Sequence, residues 1–134
     1  MIPQLTLKRE HTLAIIEHSG AHAPLEACGL LAGKKDRVEK VLFVRNQAQS
    51  PARFVMDPYE QLQAFEWIEA NGLDLLAIFH SHPAGPETVS PTDIAEAAYE
   101  VVHIVCFRRD GQWSLRGFWI EKGTAREVDL KILE

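Results

Sequence analysis

The stretch LDLLAIFHSHPAGPETVSPTD, residues 73–93, sets the architecture, because it has the pattern of a strand, a loop and a helix start in that order. Its first seven residues are almost wholly apolar, which is typical of a strand buried on both faces. A loop rich in proline and glycine follows, and Ser90-Pro91-Thr92-Asp93 then has the residues of a helix N-terminus. We therefore predict a buried strand over 73–79, with His80 at its carboxyl end, and a helix from Ser90 to about Tyr99.

The segments upstream of this stretch alternate between strand and helix patterns. They predict a strand at 5–7, a helix at about 8–20 ended by Pro24, a hairpin of strands 30–34 and 38–45, and a helix that stops at Gly72. The first helix has Leu13, Ala14 and Ile16 on one side at helical spacing. The second starts with Asp57 as N-cap and Pro58 at its first position.

The segments downstream predict three further strands, over 101–107, 113–120 and 125–133, with Asp110-Gly111 and Lys122-Gly123 at the turns. Because tight turns join several strand pairs while helices separate others, the sheet is expected to be mixed. We predict an α+β fold in one domain covering residues 1–134. Its core is a central, mixed, largely antiparallel sheet flanked by three helices.

The composition excludes several classes of protein. Hydrophobic residues make up 46% and charged residues 25% of the 134 positions, as in soluble folded chains. The net charge of -5 disfavours sequence-independent binding to nucleic acid, and the basic pair Arg108-Arg109 is interpreted as solvated charge beside a turn. The longest nearly apolar stretch, residues 73–79, is far below the roughly 20 residues that span a bilayer. We expect neither nucleic acid nor membrane as a partner.

The N-terminus and the cysteines point to the cytoplasm. MIPQLTLKRE, residues 1–10, has no basic region followed by an apolar run, so we expect no secretory signal. Only two cysteines, Cys28 and Cys106, are present, and their spacing indicates no disulfide framework. Cys28 is interpreted as a small buried residue, although its place two residues after Glu26 leaves a position near the functional site open.

His80 and His82 form the core of a predicted metal site. Side chains two apart in an extended chain point the same way, so both imidazoles can reach one metal while Ser81 points away. The loop at 83–89 reverses the chain, so Asp93 in the first turn of the next helix can add an oxygen ligand. Two imidazoles and one carboxylate suit zinc and leave a fourth position for water. We predict one zinc ion per chain, in a site of the catalytic kind.

These residues resemble the JAMM, or MPN-plus, metalloproteases, whose signature is an upstream glutamate, His-x-His, ten residues and an aspartate. His-Ser-His-Pro is intact at 80–83, and Ser90 stands three residues before Asp93. The upstream glutamate corresponds to Glu26 in PLEACGLLAG, residues 24–33. RFVMDPYEQ, residues 53–61, further resembles compact prokaryotic members, some of which act on small ubiquitin-like sulfur-carrier proteins. The resemblance implies the MPN fold, which is similar to that of cytidine deaminases.

The resemblance also implies the catalytic roles. Glu26 would accept a proton from the zinc-bound water and deliver it to the leaving amine, and zinc with the Ser90 hydroxyl would stabilise the oxyanion. Spacing alone does not place Glu26 near the zinc, so its role depends on the resemblance. Ser90 and Asp93 also form a capping box on structural grounds, and the two interpretations are compatible.

The predicted function is hydrolysis of an amide or isopeptide bond at the C-terminus of a ubiquitin-like or sulfur-carrier protein. The alternatives are a non-catalytic MPN-type binding module and a hydrolase like the domain of RadC-like proteins. The loop at 46–54 is a candidate for gripping the substrate. The sequence leaves the oligomeric state open, a homodimer included.

Of three other histidines, His18 and His22 are interpreted as solvated surface residues and His103 as a core or edge residue. His18 and His22 are four apart on a helix but lack a third ligand at a known spacing, and we expect Gly20 to disrupt the helix between them. His103 lies in the apolar run VVHIVCF and is expected to be a core or edge residue.

Overall fold

The computed structural model describes residues 3–134 and contains seven strands and three helices in this range. Met1 and Ile2, which the predicted domain includes, lie outside the described residues. In chain order the elements are β1 (Gln4–Lys8), α1 (Arg9–His22), β2 (Cys28–Lys34), β3 (Arg37–Val44), α2 (Pro58–Ala70), β4 (Asp74–His82), α3 (Pro91–Glu96), β5 (Val102–Arg109), β6 (Gln112–Glu121) and β7 (Thr124–Leu133).

The sheet is mixed, as predicted, but it closes into a barrel with the strand order β1-β3-β2-β4-β5-β6-β7. Four of its seven pairings within residues 3–134 are antiparallel. The prediction of a central sheet flanked by helices is therefore corrected in its shape. Closure depends on β1, which pairs in parallel with β7 from Gln4↔Asp129 to Lys8↔Leu133 and with β3 at Thr6↔Arg37.

Strand β4 lies in the middle of the barrel wall, between β2 and β5. It pairs antiparallel with β2, where His80 faces Cys28, and in parallel with β5, where His80 faces Val105. The strand runs beyond its predicted end at His80, because Ser81 and His82 also pair with β5. The whole His-Ser-His segment is therefore part of the sheet.

Alternate side chains of β4 pack into different parts of the core. Phe79 belongs to the cluster that covers α1 and β1, together with buried Leu5, Leu7 and Ile15. Ile78 belongs to the cluster under α2, together with buried Cys28, Met56 and Ile68. Because side chains alternate along a strand, His80 and His82 share the face of Ile78, whereas Ser81 shares the face of Phe79.

The helices follow the predicted order with three differences. Helix α1 buries His11, Ile15 and Ser19 and leaves Leu13 51% exposed, so the predicted apolar side is wrong at Leu13. The same helix continues past Gly20 to His22, where a disruption was expected. Helix α3 ends at Glu96, before the predicted Tyr99, because the following residue is extended and the chain crosses to begin β5.

The start of α2 agrees with the prediction. The Asp57 Oδ1 accepts hydrogen bonds from the backbone N–H groups of Tyr59 and Glu60, each at 3.0 Å, and Pro58 is the first helical residue. No helix within residues 3–134 combines the length and the apolar character that a membrane crossing requires.

The close approach of β2 to its neighbours generates a prediction about stability. A Cβ on Gly29 would collide with the Phe79 ring and would lie 2.6 Å from the Leu42 carbonyl oxygen. We expect Gly29→Ala to reduce the free energy of unfolding by about 1–3 kcal/mol, since the backbone carbonyl cannot move without disturbing the pairing. Urea unfolding followed by circular dichroism measures the change.

Gly20→Ala in α1 is the matched control. Its added Cβ would lie 3.7 Å from the Trp113 Nε1, which is an ordinary contact. Alanine inside a helix is more stable than glycine by about 0.5–1 kcal/mol, so this variant is expected to gain stability. Equal effects of the two substitutions would contradict the described approach of β2 to β3 and β4.

Candidate metal centre

Three separate parts of the chain meet at the candidate metal centre. His80 and His82 lie at the carboxyl end of β4, Asp93 lies in the first turn of α3, and Glu26 lies on the connection between α1 and β2. All four side chains are buried, with residue exposures of 0%, 3%, 9% and 3% in that order. Buried ionisable groups are uncommon unless they are paired or bind a cation, so this cluster is a functional candidate.

The two imidazoles and the Asp93 carboxylate form a nearly equilateral triangle. The Nε2 atoms of His80 and His82 are 3.0 Å apart, and the Asp93 Oδ2 lies 3.0 Å from the first and 3.1 Å from the second. Ligands of a tetrahedral zinc ion at bond lengths of about 2.0–2.2 Å are roughly 3.3–3.5 Å apart. The triangle needs to open by only a few tenths of an ångström to match, so the donor set fits a zinc-sized cation.

Hydrogen bonding determines which nitrogen of His82 carries the proton when the ring is neutral. Its Nδ1 lies 2.8 Å from the Pro86 carbonyl oxygen, which can only accept, so Nδ1 carries the proton. In the neutral ring the Nε2 lone pair then points at the Asp93 carboxylate, which also offers lone pairs. A proton or a cation between them removes the repulsion. A backbone carbonyl that fixes the outer nitrogen is the usual support of a metal-bound histidine.

The pKa directions of His80 and Asp93 agree with this donor set. Burial lowers the pKa of His80 and therefore favours its neutral form. Burial also lowers the pKa of His82, but Asp93, the Pro86 carbonyl and Glu26 outweigh it and raise that pKa. Burial raises the pKa of Asp93, whereas hydrogen bonds from His80, His82 and the Ser90 N–H bring it well below its usual range. An ionised aspartate and a neutral histidine are the protonation states that metal ligands require, so a cation would displace a proton from His82.

Glu26 lies at the side of this triangle. Its Oε2 is 4.0 Å from the His82 Nε2, and Glu26, His80 and His82 each offer a ligand atom within 4.8 Å of the others. Burial, opposed in part by His82 and reinforced by Asp93, raises the pKa of Glu26 to about 8. An adjacent cation would favour the ionised form and lower this pKa. The carboxyl group can therefore both accept and release a proton near neutral pH.

Ser90 forms the predicted capping box with Asp93. Its Oγ accepts from the Asp93 N–H at 3.0 Å, and its N–H donates to the Asp93 Oδ2 at 2.8 Å. The second bond orients the same carboxylate oxygen that faces both histidines. The Ser90 hydroxyl proton remains free to donate, because accepting one bond does not use it.

A cavity of about 230 Å³ adjoins the cluster, with Asp93 in its wall. Loop residues 53–56 form one side of it, so the predicted substrate loop at 46–54 does border the site. The Phe54 ring stacks on the His80 ring with centroids 4.6 Å apart. At the rim, the Arg53 guanidinium donates two bonds to the Glu96 carboxylate, at 3.1 and 3.0 Å. Nothing in the spacing of the sequence indicated the contact between Phe54 and His80.

The remaining histidines and Cys28 lie outside the cluster. His18 stacks on Phe43 with centroids 4.0 Å apart, and the His22 Nδ1 donates to the His18 carbonyl oxygen at 2.8 Å. His103 is buried, which confirms it as a core residue, and burial lowers its pKa to about 4. Cys28 is buried opposite His80, donates to the Val44 carbonyl oxygen at 3.3 Å and has its pKa raised to about 12 by burial. This thiol is therefore structural and unreactive.

Comparison with protein-family models assigns this barrel and its buried cluster to a family. The chain matches the Prok-JAB family, described as prokaryotic homologs of the JAB domain, over residues 8–120. The chain therefore belongs to this family.

Similar proteins agree with this membership. The chain is 40% identical over 124 residues to a probable TtuB-protein conjugate cleaving protease of Thermus thermophilus, covering 89% of this chain and 79% of the relative. It is 30% identical to a CysO-cysteine peptidase of Mycobacterium bovis, covering 97% and 92%. The solution structure of protein DSY2949 from Desulfitobacterium hafniense superposes with a TM-score of 0.88 at 33% identity, covering 97% and 93%. The predicted family and the predicted enzyme class, a peptidase, are confirmed.

The buried His103 generates a prediction about pH. Its pKa is near 4 in the folded chain against 6.5 for the ordinary group, so the unfolded chain binds the extra proton first as pH falls. Stability is therefore lost between pH 6.5 and about 4, by up to about 3 kcal/mol for this group.

His103→Gln keeps a donor for the Tyr99 carbonyl but cannot titrate. We expect the free energy of unfolding of the variant, minus that of wild type, to be larger at pH 4.5 than at pH 7. Urea titrations in the presence of a chelator measure this difference. An identical stability difference at both pH values would contradict the suppressed protonation.

Proposed function

We propose that this chain is a zinc-dependent peptidase that hydrolyses an amide bond at the C-terminus of a ubiquitin-like or sulfur-carrier protein. The observation that carries the proposal is the convergence of His80, His82, Asp93 and Glu26 in one buried cluster beside a cavity. The substrate class is supported by relatives whose names describe cleavage of TtuB-protein conjugates and of CysO-cysteine.

His80, His82 and Asp93 would hold the zinc ion. Their three facing atoms lie within 3.1 Å of one another, whereas the Glu26 oxygen is 4.0 Å from the His82 Nε2. Glu26 is therefore assigned as the base and not as a ligand. Zinc, when bound, supplies Lewis acidity to the substrate carbonyl and lowers the pKa of water.

Glu26 moves the protons of the reaction. Its carboxylate accepts a proton from the attacking water and then delivers that proton to the leaving nitrogen. Burial supports this transfer, because it raises the pKa of Glu26 above its usual range to about 8, and the adjacent cation would lower that pKa again. The leaving amine departs as a neutral group once it has received the proton.

Ser90 stabilises the oxyanion that forms at the attacked carbonyl. Its Oγ accepts from the Asp93 N–H, which fixes the oxygen and leaves its own proton to point towards the substrate. One such donor contributes about 3–4 kcal/mol to transition-state stabilisation. The structural role of Ser90 in capping α3 thus preorganises its catalytic role.

Zinc binding tests the ligand assignment. Wild type is expected to take up one zinc ion per chain, measured by elemental analysis and by competition with a chromophoric chelator. His80→Ala and Asp93→Asn are expected to weaken the affinity by more than about 100-fold, since changing even the groups that support a metal ligand costs about 10–100-fold.

Glu26→Gln is the matched control for these ligand variants, because it changes a buried carboxylate of the same cluster without removing an assigned ligand. It is expected to keep the wild-type affinity for zinc. A His80→Ala variant that binds zinc like wild type would overturn the metal centre.

Cleavage tests the reaction. The substrates are ubiquitin-like and sulfur-carrier proteins extended at their C-terminus by one cysteine, by a short peptide, or by a lysine side chain in isopeptide linkage. Wild type is expected to cleave at least one of them, and mass spectrometry identifies the bond. Glu26→Gln is expected to lower kcat by about 10²–10⁴-fold, the usual contribution of a general base. Ser90→Ala is expected to lower kcat by about 10²–10³-fold.

Each outcome has a separate meaning for the proposal. A zinc-loaded wild type that cleaves none of the extended proteins would refute the substrate class. A zinc-loaded Glu26→Gln variant that cleaves at the wild-type rate would refute Glu26 as the base and leave the substrate class standing.

A further inference from the structure

The position of the Glu26 carboxylate is not fixed by hydrogen bonds of its own. Its Oε1 is buried and has no hydrogen-bond partner among residues 3–134, and its Oε2 is 4.0 Å from the His82 Nε2. A base must nevertheless stay within reach of the proton that it accepts. Packing and the backbone that carries Glu26 must therefore hold it in place.

One side of that backbone is attached to the strand of the metal ligands. The Ala27 N–H donates to the Ser81 Oγ at 2.8 Å, and the Ser81 N–H donates to the Ala27 carbonyl oxygen at 2.9 Å. Ser81 is fully buried and lies between His80 and His82. Ala27, which follows Glu26, thus forms two hydrogen bonds with Ser81, which lies between the two histidines.

The other side of that backbone is attached to the loop between β3 and α2. The Glu26 N–H donates to the Ser50 carbonyl oxygen at 2.9 Å, and the Asn46 Nδ2 donates to the Glu26 carbonyl oxygen at 3.0 Å. The same amide donates to the Arg53 carbonyl oxygen at 3.1 Å and accepts from the N–H groups of Ala48 and Val55 at 3.0 and 2.9 Å. Its two donors and its oxygen are all used, so this side chain has one defined orientation.

We propose that Ser81 and Asn46 are positioning residues that hold Glu26 at its working distance from the metal ligands. Ser81 holds the backbone next to Glu26 against β4 through its hydrogen bonds to Ala27. Asn46 holds the Glu26 backbone against the loop that carries Phe54. Neither side chain contacts the reacting atoms. The proposal rests on the proposed function only in its assignment of Glu26 as the base.

The expected effect follows from geometry. A misplacement of about 1 Å in a catalytic group costs on the order of 10²-fold in rate. Ser81→Ala removes the acceptor of the buried Ala27 N–H, which then has to move to find another partner. The ligand atoms of His80 and His82 are on the opposite face of β4, so their geometry is expected to persist.

Kinetics of the zinc-loaded enzyme give the first measurement. Ser81→Ala is expected to lower kcat by about 10–100-fold while KM and the zinc affinity stay within threefold of wild type. Ser81→Thr keeps the hydroxyl and is expected to recover most of that kcat. Asn46→Asp keeps the two accepted bonds but turns an oxygen towards the Glu26 carbonyl, and is expected to lower kcat in the same way without raising KM.

Asn71→Ala is the matched control. Asn71 also uses its Nδ2 to hold a backbone carbonyl, that of Trp67 at 2.8 Å, but it does so at the exposed end of α2. Its removal is expected to cost stability and leave kcat within twofold of wild type. It thus separates a loss of stability from a loss of positioning.

Amide hydrogen exchange of the metal-free chain gives a measurement that needs no activity. The Ala27 amide is expected to exchange slowly in wild type and at least tenfold faster in Ser81→Ala, with the amides of β6 and β7 unchanged. A folded Ser81→Ala variant with wild-type kcat, or one whose zinc affinity falls in proportion to kcat, would overturn the proposal. If wild type cleaves no substrate, the proposed function fails, and unchanged Ala27 exchange in Ser81→Ala refutes the positioning link separately.

Discussion

Strand β4 is hydrogen-bonded on both sides, to β2 and to β5, and this pairing positions the histidines of the site. It sets the end of β4 inside the barrel wall, with His80 opposite Cys28 on one neighbour and Val105 on the other. Both flanking strands pair with β4 at His80, and β5 continues to pair through His82, so the backbone there does not need the imidazoles as hydrogen-bond partners. The imidazoles are then free to serve a cation, and their spacing is as rigid as the sheet.

The cluster that results is costly to bury and is arranged to offset that cost. An unpaired carboxylate in the interior would cost several kcal/mol, but the Asp93 oxygen faces two imidazoles and receives the Ser90 N–H. Glu26 has no such support, and its pKa is accordingly raised to about 8, with burial as the leading cause. The pKa values of the two carboxyl groups are thus shifted in opposite directions. Asp93 stays ionised, whereas Glu26 can exchange a proton.

Local patterns in the sequence were sufficient to predict the proposed ligands and insufficient to predict the proposed base. His80 and His82 follow from alternation along a strand, and Asp93 follows from the chemistry of a helix start. Glu26 lies on an irregular connection whose link to Ser81 spans 54 positions, so only the family resemblance pointed to it. Barrel closure joins residues as distant as Gln4 and Asp129, and no local pattern encodes such a pairing. Helix α1 misled the prediction because its buried face includes the polar His11 and Ser19.

The alternation of β4 explains how one short segment can serve two purposes. His80 and His82 point to one face, where the cation would lie, and Ser81 points to the other, where it binds the peptide that follows Glu26. The two histidines and the peptide that follows Glu26 are therefore held by the same three residues of one strand, whereas Asp93 reaches the cluster from α3. A movement of the end of β4 would carry both histidines and the peptide that follows Glu26, but not Asp93 or the loop that binds Glu26 on its other side. The link through Ser81 thus keeps Glu26 close to these two histidines when the strand shifts, and proton transfer requires such a constant distance.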